Sequence, residues 1–280
     1  MTLRAERSAQ GCEADALERA LRRQARRSQA LLVLSALLSC LLVAAAALVI
    51  VIDPLDEPLL RAAASAFFFP FAAVILHRYK AAADRMHLAP ITRNQLPEVH
   101  RILEELCREA GLSRTPRLFL TKDPSIDPCT MTPGLRPHLV LGTDFLAGCR
   151  ENGTPEALRF MLAHQVGHMV LNHHTRRWLW LSTAILGTPV LRGVFIRLLE
   201  FNADLWAARA VPEGAERALA LCAVGKDNYP YLHGAEQAEH WETRRDVLGQ
   251  VAYLSATQVS AAERVSQLHR HGLRLRTSLH

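Results

Sequence analysis

The chain has 280 residues, half of them hydrophobic, 21% charged and 6% aromatic, with a mean hydropathy of +0.05. That excludes a disordered chain and a bundle lying wholly in lipid, and leaves one domain with additions or two small domains. The six cysteines (Cys12, Cys40, Cys107, Cys129, Cys149 and Cys222) form no CxxC pair, which argues against a disulfide framework or a cysteine-only zinc site. The net charge of +6 would suit a nucleic-acid binder, but no nucleic-acid motif accompanies it and the N-terminal region accounts for it.

Ala30 to Ile52 is an uncharged apolar run, long enough for a helix across a hydrocarbon core of about 20 residues. A secretory signal peptide is the other reading, but the run is too long and too far from the N-terminus. Pro58 to Leu76 is a second candidate span, with Arg61 near its start. The acidic, proline-containing connector from Asp53 to Pro58 predicts a hairpin. Arg19, Arg22, Arg23, Arg26 and Arg27 precede the first span, and Arg78, Lys80 and Arg85 follow the second. Basic residues flank cytoplasmic ends, so both termini are expected in the cytoplasm and near anionic lipid. Reduced, unpaired cysteines fit that compartment. The expected organisation is a basic segment at 1–29, a transmembrane hairpin at 30–77 and a soluble domain at 78–280.

The soluble part reads as mainly α with a small β-sheet, an α+β fold. Apolar positions predict a helix over Leu96–Ala110, closed by Gly111. Pro116–Thr121 and His138–Thr143 read as strands, joined by a loop rich in Pro, Asp and Thr. Thr154-Pro155-Glu156 is a helix start, with an N-cap hydroxyl and proline at the first helical position; that helix is expected to reach about His174. Further helices are expected at Val194–Ala210, Glu213–Val224, Ala235–Tyr253 and Ser260–Arg270. In the segment Trp178 to Leu199, Trp178–Leu191 is uncharged but short for a span; a hairpin dipping into the membrane is one reading, and an interfacial or core helix is preferred because Gly187, Pro189 and Gly193 break the segment.

His164 and His168 lie one helical turn apart, so two imidazoles can reach one metal ion. Spacing alone is weak, and two unrelated histidines on a helix give the same pattern. A catalytic zinc needs a third ligand, and Glu200 on a later predicted helix can supply it. Asp204, one turn further, can fix the tautomer of a ligand histidine.

At these residues the chain resembles metallopeptidase family 48, which contains HtpX, the CAAX prenyl proteases and the Oma-type mitochondrial proteases. Ala110-Gly111-Leu112 followed by a strand, Leu162-Ala163-His164-x-x-Gly167-His168 with His173, and Glu200-Phe-Asn-Ala-Asp204 match its motifs in order. Thr257 to Arg264 resembles its C-terminal segment. The resemblance implies a gluzincin-like, zincin-type metallopeptidase domain behind the membrane hairpin, with one zinc held by His164, His168 and Glu200. It implies that His138, Leu139, Val140, Leu141 and Gly142 form an edge strand that binds substrate. It also implies that Arg264 stabilises an oxyanion. An HtpX-type protein would sit in a bacterial inner membrane, its domain cytoplasmic, with the lipid bilayer and peptide or membrane-protein segments as partners and no nucleic acid.

The departures bear on activity. The family's general base is a glutamate, and that position is Gln165. An amide cannot take a proton from the attacking water and pass it to the leaving amine. The family's Asn-Ala-Phe is Asp127-Pro128-Cys129, and the His-Pro of the C-terminal segment is Gln258-Val259. Three departures favour natural drift over an isosteric knockout at Gln165. The expectation is a membrane-anchored zinc metalloendopeptidase fold, proteolytically impaired, acting on or capturing membrane or misfolded proteins. The alternatives are a mutated form of an active endopeptidase and a non-enzymatic membrane-anchored interaction module.

Overall fold

The structure, a computed structural model, describes residues 2–52, scattered positions between 58 and 88, 89–123, 129–132, 138–173, 189–231, and then Tyr253, Ala256 and 258–271. In chain order the elements are α1 (Thr2–Ile52), β1 (Ala89–Ile91), α2 (Pro97–Glu109), β2 (Arg117–Thr121), β3 (Cys129–Thr132) and β4 (His138–Gly142). Then follow α3 (Thr143–Glu151), α4 (Pro155–Val170), α5 (Pro189–Ala210), α6 (Ala215–Asn228) and α7 (Ala261–Arg270). The architecture is mainly helical with a small mixed sheet, as the composition and periodicity predict.

The sheet order is β1-β2-β4-β3. β2 and β4 run parallel, Arg117 opposite His138, and the two outer strands are antiparallel to their neighbours. β4 therefore lies in the interior of the sheet, with a partner on each side, and is not the edge strand that the resemblance implies. Its residues His138 to Leu141 are all buried, the unbroken run of a strand covered on both faces. β3 was hidden from sequence reading because Cys129-Thr130-Met131-Thr132 is short and half threonine. Cys129 and Met131, two apart, turn inward. β1, with Pro90 at its centre, sits at the opposite edge, where proline is tolerated.

α4 is the core helix. From Ala157 to His168 every residue but Arg159 is buried, so a helix that is apolar nearly all round is enclosed by its neighbours. Phe160, Leu162, Leu103, Leu139, Leu205 and Leu219 belong to one cluster that joins it to α2, the sheet, α5 and α6.

α1 is one unbroken helix of 51 residues, about 77 Å at 1.5 Å per residue, so the basic segment and the first apolar run are a single rod. Val33, Leu34, Leu37, Leu41, Leu48, Val51 and Ile52 are exposed along its second half, and Glu18–Val49 is long and apolar enough to cross a membrane. Ala20, Gln24, Ser28 and Leu32, four apart, are buried instead. Ser28 meets Asn202 at 3.4 Å and Leu32 packs on Phe195, so α5 runs antiparallel along this face. The second span expected at 58–76 lies outside the described residues save for scattered positions, as does most of the helix expected at 235–253. Residues 178–188 lie outside them too. α5 starts at Pro189, and Gly193 sits inside it rather than breaking it.

Candidate metal centre

The ends of α4 are set by two turns of one kind. α3 closes with Gly153 in the left-handed region at φ 61°, the Gly153 N–H donating to Arg150 O and the Thr154 N–H to Cys149 O. This Schellman turn delivers Thr154 to the N-cap of α4. The expected hydroxyl cap is not made: the Thr154 side chain bonds no helical N–H, and Pro155 at the first position starts the helix. At the other end Asn172 takes the left-handed conformation at φ 59°. Its N–H donates to Met169 O and the His173 N–H to His168 O, each at 3.0 Å. The helix therefore stops at Val170 instead of running to His174, and the chain folds back over its last turn.

His164 and His168 project from one face of α4. Their Nε2 atoms lie 3.1 Å apart. Glu200 of α5 reaches both, its Oε2 3.3 Å from His164 Nε2 and its Oε1 3.4 Å from His168 Nε2. A tetrahedral zinc with ligands at about 2.0–2.1 Å has donor–donor edges of about 3.3–3.4 Å; each imidazole lies close to that distance from one carboxylate oxygen, so the three side chains are near enough to share one ion. The donor set is also right for zinc: two imidazoles and a carboxylate. Gly167 makes the meeting possible. A Cβ there would stand 3.2 Å from Trp206 Cβ and 3.3 Å from Ala203 O, so its absence lets α5 approach α4 between the two histidines.

A layer of partners fixes the tautomers. His164 Nδ1 lies 2.8 Å from Asp204 Oδ1. With the proton on Nδ1, donated to Asp204, the Nε2 lone pair is free for a metal. Arg264 of α7 holds the same carboxylate from behind, its Nε donating to Oδ2 at 2.8 Å and its Nη2 to Oδ1 at 2.5 Å. Ser260 caps α7, accepting from the Glu263 N–H at 3.2 Å, and so sets the helix that carries Arg264. Arg264 is therefore placed as a positioning residue, through Asp204 and through its own Nη2, which lies 3.1 Å from His164 Nδ1. The third partner was not foreseen in its role: His173 Nδ1 lies 2.9 Å from His168 Nδ1. For His168 to present its Nε2 lone pair, its Nδ1–H must donate to His173. Asn172 was the available signal, since asparagine tolerates the left-handed turn that brings His173 back.

The electrostatics agree with a cation site. Burial pushes the Glu200 carboxyl up, but the two imidazoles outweigh it and hold it well below the usual range. Burial is likewise overcome at Asp204, which Arg264 and His164 keep ionised. At His164, burial and the Arg264 guanidinium oppose a second proton, yet Asp204 and Glu200 raise its pKa. His168 is lowered, by burial.

Gln165 is buried beside this cluster. Its Nε2 donates to Cys129 O in β3 at 2.7 Å, while its Oε1 is buried without a partner among the described residues. The outer strand next to the metal ligands is therefore β3. His138–Gly142 lies one strand further in, where the His138 ring packs edge-on against Phe119 at 5.0 Å. His174 lies outside the described residues.

Residues 93–196 match the model of peptidase family M48, so the resemblance read from the motifs holds for that segment. The matched stretch contains β2 to α4, with His164, Gln165 and His168, and stops short of Glu200, Asp204 and Arg264. No curated protein and no solved structure gave a match.

Proposed function

We propose that this chain, which over residues 93–196 belongs to peptidase family M48, is a membrane-anchored zinc protein of HtpX type that binds peptide segments but hydrolyses them poorly. The observation that carries this reading is the pairing of a complete ligand set, His164, His168 and Glu200, with a neutral amide at the position of the general base. A zinc ion held there would polarise the scissile carbonyl and activate water for attack. His164, His168 and Glu200 orient the ion, and Asp204, Arg264 and His173 orient the ligands. Gln165 Oε1 could accept a hydrogen bond from a water held there, but as an amide it would take no proton. The missing base costs about 10²–10⁴-fold in rate.

Peptide is proposed to lie along β3, the outer strand beside the ligands, by main-chain hydrogen bonds of the strand-addition type. The partners are then peptide or membrane-protein segments. The pairing of α1 with α5 supports their being membrane segments. Asn202 lies level with Ser28 and Phe195 with Leu32, so Glu200 falls level with Ala30, where the uncharged run begins. If the exposed apolar half of α1 spans a bilayer, the metal centre is held at its surface by a continuous helix. The Arg-rich stretch below it supports a cytoplasmic domain, and the likeness to HtpX supports a bacterial inner membrane.

The test uses the full chain purified in detergent. Metal analysis is expected to give one zinc per chain. β-Casein is expected to survive incubation with the parent and to be cut in a chelator-sensitive way by Gln165→Glu. Robust zinc-dependent cleavage by the parent would end the impaired-enzyme reading, and a chain without zinc would return the alternative of an interaction module.

A further inference from the structure

Gln165 has a bonding role that an ionised glutamate cannot fill. The Cys129 carbonyl offers only lone pairs, so the 2.7 Å contact with Gln165 requires a donor, and this fixes the orientation of the amide with Nε2 toward the strand. A glutamate in the same rotamer would set a carboxylate oxygen against a carbonyl oxygen. The bond joins two buried residues, Gln165 on α4 and Cys129 at the start of β3. β3 needs such a tie. It has four residues, two of them threonine, and within the sheet it pairs on one side only, with β4. Short outer strands lie at the low end of local stability.

We infer that Gln165 is a positioning residue for the strand that receives peptide: its amide N–H anchors β3 to the zinc helix and sets the height of that strand beside the metal ligands. This rests on the peptide-binding reading above. It makes the glutamine a functional substitution, in which the site loses its base and gains an anchor. The result is a groove built to hold a segment in place next to the metal. It also means that Gln165→Glu is no silent isosteric change, because it supplies a carboxylate and removes the anchor together.

Amide hydrogen exchange on the full chain in detergent, with EDTA present so that metal loading plays no part, tests the anchor. Gln165→Met lacks the donor at any pH, and Gln165→Glu lacks it once its carboxyl is ionised. Both are expected to exchange about tenfold faster than the parent over 129–132, the effect of one lost bond to a buried carbonyl, with 89–91 at the far edge unchanged. Unchanged exchange over 129–132, equal acceleration at 89–91, or acceleration in Gln165→Glu alone would each overturn the inference. If one variant fails to fold, the other decides. The second arm is binding of labelled β-casein to the zinc-loaded protein. Gln165→Met, which adds neither charge nor base, should bind about tenfold more weakly than the parent. Faster exchange with unchanged casein binding would leave an anchor without a positioning role and overturn the inference. Casein binding by neither protein would count against the functional reading instead, and the exchange arm would still decide the anchor.

Discussion

Asp204→Asn is the sharpest probe of the metal centre, because it changes little volume and replaces no ligand. Asp204 is 1% exposed and accepts from His164 Nδ1 at 2.8 Å and from two Arg264 nitrogens at 2.8 and 2.5 Å. Asparagine has a single carbonyl oxygen for these three donors. If that oxygen stays on Arg264, the amide N–H faces His164 Nδ1, which must then accept; the imidazole proton moves to Nε2 and the metal loses a ligand. If the oxygen turns to His164, the amide N–H meets a buried guanidinium. Either way the tautomer is no longer held by charge. Loss of such a partner costs about 10–100-fold in metal affinity, or about 1.4–2.7 kcal/mol. The stability cost is separate. Removing one partner of a buried ion pair costs about 3–5 kcal/mol, reduced here because the Arg264 side chain keeps some exposure. Zinc affinity is measured by competition with a chromophoric chelator, alongside thermal melting of the metal-free protein. Affinity within about twofold of the parent, in a variant that melts cooperatively, would refute the tautomer argument. The raised pKa of His164 adds a direction: metal uptake displaces a proton, so affinity should rise with pH, and the variant should lose part of that slope.

Other consequences are simpler to check. Gly167→Ala should fold but push α5 from α4 by a few tenths of an ångström, since its Cβ would sit 3.2–3.3 Å from Trp206 and Ala203; zinc affinity should fall without loss of helix content by circular dichroism. Val140→Pro should unfold the domain, because β4 is paired on both sides and proline removes a ladder donor; a well-folded variant with weakened peptide capture would restore β4 as the docking strand. Burial pushes the Cys107 thiol up to about 11 and that of Cys149 to about 12. At pH 8 both should resist iodoacetamide in the folded domain and react on unfolding, by mass spectrometry of the alkylated peptides.

Much of the centre was written in the sequence. A histidine pair one turn apart requires only a helix, and Pro155 with the apolar run behind it specifies that helix locally. Glu200 and Asp204 were legible for the same reason: their spacing of four places both on one face of any helix. Gly111 announced its own turn, since positive φ suits glycine above all. What the sequence left open was every relation between elements. β4 is strongly apolar, and that reports burial, not position; only the pairing of Arg117–Thr121 on one side and Cys129–Thr132 on the other makes it an interior strand. β3 has too few residues to carry a period, and it exists because α4 and β4 offer it partners. The role of Arg264 turned on distance, since a guanidinium near the site can serve an oxyanion or a carboxylate, and α7 brings it to Asp204. Gln165 shows the same division. Its sequence position puts an amide where the family resemblance implies a base. Its hydrogen bond to Cys129 O, which depends on how close the sheet edge lies to the zinc helix, says what the amide does there.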